Sequence, residues 1–162
     1  MKSALLTAGL ALATALGAHA QQAPTAFVIG ERTEAAYERL GESQQTGLLE
    51  ACDCSMEEAF KLWVGMLREI EKHAEREGVD IRGVKVWLHA FYGADGSVDH
   101  LAYHLRPSSK QIDEAKFTRL LEGFARAYAF PVLHDGGFAH YSTGSFPVFG
   151  DVTARSAANG GE

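Results

Sequence analysis

Cysteine is scarce in this 162-residue chain, and the two that occur, Cys52 and Cys54, are separated only by Asp53. A ring closed across one residue is strained, because bridged Cα atoms must lie within about 7 Å with their Cβ vectors facing. The pair therefore reads as two thiols or one strained bridge at a helix boundary, with metal capture or thiol exchange as the narrower reading. Clustered basic residues are missing too. With 15 Lys plus Arg against 21 Asp plus Glu, a net charge of −6 and no basic run, the chain lacks the footprint that phosphate binding needs. Nucleic acid is excluded as an expected partner. There is no Gly-x-Ser-x-Gly elbow, phosphate loop, dinucleotide fingerprint, Cys-x-x-Cys or helical His-x-x-x-His, so the motifs of hydrolase, nucleotide and zinc chemistry are absent.

What is present begins with a secretory pattern. Lys2 precedes a small and apolar run from Ala4 to Gly17, followed by Ala18-His19-Ala20 before Gln21, the three regions of a cleavable signal peptide over 1–20. The run is short of the roughly 20 apolar residues a membrane span needs. Periplasmic or secreted localisation without stable membrane insertion is the expectation. The remaining chain divides into a partly helical lead-in over 21–54, an α+β domain over 55–149, and a disordered tail over 150–162 whose composition has too little apolar surface to order itself.

A weak helix is expected from Thr33 to Leu40, with Thr33 as its cap and the segment 41–47 breaking it. The clearest element starts at Ser55, where Glu58 lies three residues after the cap. Ala59, Phe60, Trp63, Met66, Leu67, Ile70 and Ala74 then form one apolar stripe, so a helix is read over 56–77, ended by Gly78. His73, near its end, reads as a surface residue favoured by the negative end of the helix dipole. Two alternating runs, Val84–Tyr92 and Ser97–Leu105, flank Gly93-Ala-Asp-Gly96 and predict an antiparallel hairpin. A four-residue loop pairs Tyr92 with Ser97, hence Val84 with Leu105, Val86 with Tyr103 and Leu88 with Leu101; a bulge near Asp99 would change this register. Asp113 caps a second main helix over 114–129, and 138–149 reads as one strand or two short ones. The predicted architecture is a two-layer α+β sandwich, with a small antiparallel sheet against two main helices.

The outer face of the hairpin holds the candidate site residues. In the predicted register His89 lies directly across from His100, with His104 four residues further along the same face of the strand. Two imidazoles at that spacing can share zinc or copper, which makes metal handling by His89 and His100 the alternative reading, although no third close ligand follows from the pattern and no cofactor is assigned. Trp87 and Phe91 lie on the same face. Large aromatics there require a cover, supplied by the N-terminal segment, a second copy or another protein. Trp87, Phe91, His89, His100 and His104 are accordingly the expected partner-binding residues. A small hydrolase built on Ser108 or Ser109 with His134 is the remotest reading, and these serines are more simply turn residues before a helix. The chain is expected not to be an enzyme.

Between Gly83 and Pro131 the pieces Gly83-Val84-x-Val86, Asp95-Gly96-x-Val98, Ser108-Ser109 and Ile112-Asp113-x-Ala115, taken in order, resemble the C-terminal domain of TonB and its relatives. The resemblance implies a non-catalytic periplasmic binding or scaffold module. In TonB an edge strand pairs with a receptor peptide. The Tyr-Pro pair that usually opens that domain is missing, the first helix is longer, and no Pro-rich spacer occurs, so the resemblance implies a fold and a binding style only.

Overall fold

Ser55 adopts extended backbone and its hydroxyl accepts the Glu58 N–H at 3.3 Å, which starts a helix where the Ser-x-x-Glu spacing places it. The computed structural model describes residues 25–32 and 34–149. The signal segment, the proposed tail and the Thr33 cap lie outside the described residues. In chain order the elements are β1 (Thr25–Val28), α1 (Glu34–Ser43), α2 (Leu48–Ala51), α3 (Met56–Arg76), β2 (Lys85–Tyr92), β3 (Val98–Leu105), α4 (Glu114–Ala127) and β4 (Phe138–Ser145).

The architecture is α+β. Helices α3 and α4 bury their apolar stripes on one face of a four-stranded sheet of order β1-β3-β2-β4. Trp63, Met66, Leu67 and Ile70 of α3 meet Val86, Leu88, Ala90 and Tyr92 of β2, with Phe117, Leu121 and Phe124 of α4 completing the layer. Full burial of each large apolar side chain contributes about 1.5–3 kcal/mol, so this shared layer is the main source of stability. Asp113 caps α4 by accepting the Lys116 N–H at 2.9 Å.

Three expectations about this layer are corrected. Phe60 is 56% exposed. The buried face of α3 centres on Trp63, Met66 and Ile70, and Phe60 falls on its flank. His73 is buried, packed on Phe124 with ring centroids 6.1 Å apart, because Gly123 of α4 leaves room for the imidazole. The sheet is mixed rather than purely antiparallel: β1, from a stretch read as lead-in, pairs in parallel with β3, Phe27 opposite Ala102.

The hairpin register also differs from expectation, by two compensating steps. Gly93 donates to the Ser97 carbonyl at 2.9 Å, so the loop holds three residues, 94–96, and Tyr92 pairs with Val98. Asp99 then forms a bulge, and Phe91 pairs with His100. Each step slips the pairing by one, and two slips restore the original faces because side chains alternate with period two. Val86 opposes Leu105, Leu88 opposes Tyr103, and Ala90 opposes Leu101, all still facing the helices.

Candidate partner-binding face

The opposite face of the sheet carries Trp87, His89 and Phe91 on β2, His100, Ala102 and His104 on β3, Phe27 on β1, and Ala139, Tyr141 and Thr143 on β4. Its two ends are in different situations. At one end α1 lies over the sheet and inserts Tyr37 and Leu40 against Phe27, Phe91 and Ala102. The Tyr37 ring meets Phe27 and Phe91 edge-on, each at 6.3 Å between centroids. Phe91 is fully buried there. The cover required by this aromatic is thus supplied by the chain's own N-terminal region.

His89 and His100 do not face each other. The two register slips set His89 between Ala102 and Tyr141, while His100 pairs with Phe91. Each imidazole already has a partner: His89 Nδ1 shares a 2.6 Å hydrogen bond with the Tyr37 hydroxyl, and His100 Nδ1 one of 2.6 Å with Thr25 Oγ1. Among the described residues no group of three or more His, Cys, Asp or Glu is arranged to hold a metal ion. Burial, with His140 adding to it, pushes the His89 imidazole down to about 4. Burial and then Arg32 lower His100, opposed by Asp99. Both rings are uncharged at neutral pH.

Beyond α1 the face is open. Trp87, 38% exposed, stacks on Tyr141 with centroids 5.7 Å apart and planes 7° from parallel. The Arg106 guanidinium lies 5.7 Å from the Trp87 ring, and the exposed His104 pairs across the strands with Trp87. Of the five predicted residues, Trp87 and His104 lie on this open platform, whereas Phe91, His89 and His100 lie toward the covered end. Tyr141 and Arg106 were not anticipated. The alternation of 138–145 places Tyr141 on one face, but the strand it neighbours is invisible until β4 is known to join β2.

Both edges of the sheet are blunted. On β4 the Ala139 N–H, turned away from β2, donates to the Thr46 carbonyl at 2.9 Å, and the Thr143 carbonyl accepts the Trp63 indole N–H at 3.2 Å. On the four-residue β1 the Val28 N–H is taken by the Glu31 carboxylate at 3.2 Å. Such features oppose pairing with an incoming strand.

Ser109 and the two cysteines have structural explanations. Ser109 Oγ accepts the Lys85 N–H at 2.9 Å and donates to the Lys110 carbonyl at 3.0 Å, which is turn chemistry. Cys52 and Cys54 are free thiols, one buried and one exposed, and Asp53 and Cys54 adopt left-handed backbone with φ of 52° and 61°. Burial, reinforced by Glu58 and Asp53, raises the Cys52 thiol, the direction opposite to that of a reactive cysteine. No helix among the described residues is long and apolar enough to cross a membrane.

The chain matches no family profile, no curated protein and no solved structure.

Proposed function

We propose that this chain is a non-catalytic protein-binding or scaffold module, exported to the periplasm or secreted, of the kind that the TonB-like pattern of its sequence implies. Its contact surface is the platform of Trp87, Tyr141, Arg106 and His104, with Phe91, His89 and His100 buttressing it from the end beneath α1. The observation that carries this reading is the exposed, stacked Trp87–Tyr141 pair on a face whose other end α1 covers. Trp, Tyr and Arg are the residue types enriched among interface hot spots, and stacked rings present large area at low entropic cost. The blunted edges favour this face over strand addition as the mode of contact.

Affinity capture with the wild-type chain against Trp87→Ala tests the proposal, with sedimentation to follow self-association. Truncating a central Trp at an interface costs about 2 kcal/mol or more, a roughly thirtyfold loss of affinity. The expected outcome is loss of the captured partner or of the oligomer in Trp87→Ala and retention in Trp87→Phe. If Trp87→Ala changes neither, the platform is not the contact surface.

A further inference from the structure

Helix α4 carries a glycine in its interior, Gly123, where that residue is unfavourable relative to alanine. The space it leaves faces the His73 imidazole of α3: a Cβ built at Gly123 would lie 3.1 Å from Nε2 and 3.7 Å from Cε1. Both residues line a cavity of about 610 Å³ between the end of α3 and the exposed flank of α4, within the size range of small-molecule sites. His73 is only 8% exposed, yet among the described residues neither ring nitrogen has a hydrogen-bond partner and neither is fully sealed from solvent. A buried polar group is ordinarily hydrogen-bonded, so the floor of this cavity holds unused hydrogen-bonding capacity.

The walls add positive charge. Lys116, Arg119 and Arg126 recur at intervals of three and seven residues along α4, which gathers them with Gly123 on one flank of the helix. Elsewhere Lys61, Lys72, Arg82 and Lys110 each lie within 3.6 Å of a carboxylate. The side chains of Lys116, Arg119 and Arg126 have no such partner among the described residues, and Glu77 is the one acidic residue in the lining. In a chain of net charge −6, three unpaired cations against one carboxylate make a local field opposite in sign to that of the whole molecule. They are too few to track a nucleic-acid backbone but sufficient to hold one compact anion.

Arg119 and Arg126 stand about one turn to either side of Gly123, roughly 6 Å and 4.5 Å along the helix axis, so the two guanidinium groups border the cavity on both sides of the imidazole. Lys116 lies beyond Leu120, which with Val79 supplies the apolar part of the lining. A phosphate dianion balances the charge of this lining and offers three terminal oxygens to two guanidinium forks and one imidazole donor, whereas a carboxylate has two oxygens for the same groups. We propose that the cavity binds a phosphate monoester, its phosphate seated over Gly123 between Arg119 and Arg126 with His73 Nε2–H donating to it, and its organic part lying on Leu120 and Val79. The site belongs to the helical layer, on the opposite side of the sheet from the Trp87 platform.

Calorimetric titration of the full chain with phenyl phosphate, and with benzoate at matched ionic strength, tests the site. Phenyl phosphate is expected to saturate one site with a Kd at or below about 1 mM, and benzoate to bind at least about tenfold more weakly. Arg119→Gln and Arg126→Gln, both at exposed positions, are each expected to weaken phenyl phosphate about tenfold, the scale of one charge-assisted hydrogen bond. Gly123→Ala is expected to weaken it to a similar degree, because the added methyl group takes the space above the imidazole; its melting curve serves as the folding control. Glu77→Gln is expected to tighten binding about twofold by removing the one carboxylate of the lining, a gain that a purely structural role would not produce. Absence of saturable phenyl phosphate binding up to about 10 mM, or unaltered affinity in both folded arginine variants, overturns the site. Equal affinity for benzoate overturns the assignment to phosphate. Phosphatidylcholine vesicles containing phosphatidic acid distinguish the source of the monoester: cosedimentation that Arg119→Gln abolishes places the phosphate on a lipid headgroup, and no cosedimentation alongside phenyl phosphate binding places it on a soluble ligand. Trp87→Ala is expected to bind phenyl phosphate as the wild type does, and loss of binding in that variant counts against the cavity.

Discussion

Gly96 ends the hairpin loop with φ of +80°, and a Cβ there would lie 2.4 Å from the Phe130 carbonyl. Its own carbonyl accepts the Phe130 N–H at 2.8 Å, so the turn is tied to the segment that leaves α4. The hairpin and the α4–β4 connection therefore depend on one another at this atom pair. Gly136 has a similar φ of +86° with nothing within 4 Å of a built Cβ. Comparing the two separates backbone strain from collision. Gly136→Ala is expected to cost about 1 kcal/mol in urea unfolding, the cost of a left-handed alanine, and Gly96→Ala at least about 2 kcal/mol more. Equal losses at the two positions would show that the Phe130 contact yields without resistance.

Helix α1 holds no fully buried residue, in contrast to α3, which buries seven. Its attachment comes from Tyr37, Leu40 and the Tyr37–His89 hydrogen bond. An element with few buried contacts opens locally at a free energy below that of global unfolding. Native-state hydrogen exchange is expected to show α1 amides exchanging with an opening free energy several kcal/mol lower than those of α3 and β2. Equal protection would mean that α1 is an integral part of the cooperative unit. The same contrast explains what the sequence disclosed. Helix α3 was legible because a capping serine, a full apolar stripe and a terminal glycine agree over more than twenty residues. The hairpin was legible from alternation, and its faces survived an incorrect register only because a shorter loop and the Asp99 bulge contribute one slip each. Strand β1 had no such signal. Ala26 and Phe27 are both buried, one on each face, so there is no alternation to read, and its partner β3 lies about 75 residues away. Trp87 and Phe91 could be placed on the outer face from their spacing, but which of them α1 would cover depends on a tertiary contact that no local pattern encodes.

At the scale of the whole molecule, the outer face stores a dependence on pH. His89 titrates near 4 in the folded chain, and His100 is also lowered, while an unfolded imidazole titrates at about 6.5. Between those values the unfolded chain binds more protons, so stability is full above about pH 6.5 and declines as pH falls toward 4. The His89 share is on the order of 1–2 kcal/mol once its remaining solvent contact is allowed for. The difference in urea midpoint between wild type and His89→Asn is therefore expected to shrink from pH 7 to pH 4.5. A difference that stays constant over this window would show that His89 is not held neutral by folding.

The indole of Trp63 reaches past the core to occupy the Thr143 carbonyl. One ring thus belongs both to the packed interior and to the rim of the sheet. With that acceptor occupied, a strand arriving at the β4 edge meets an interrupted row of backbone partners beside Thr143.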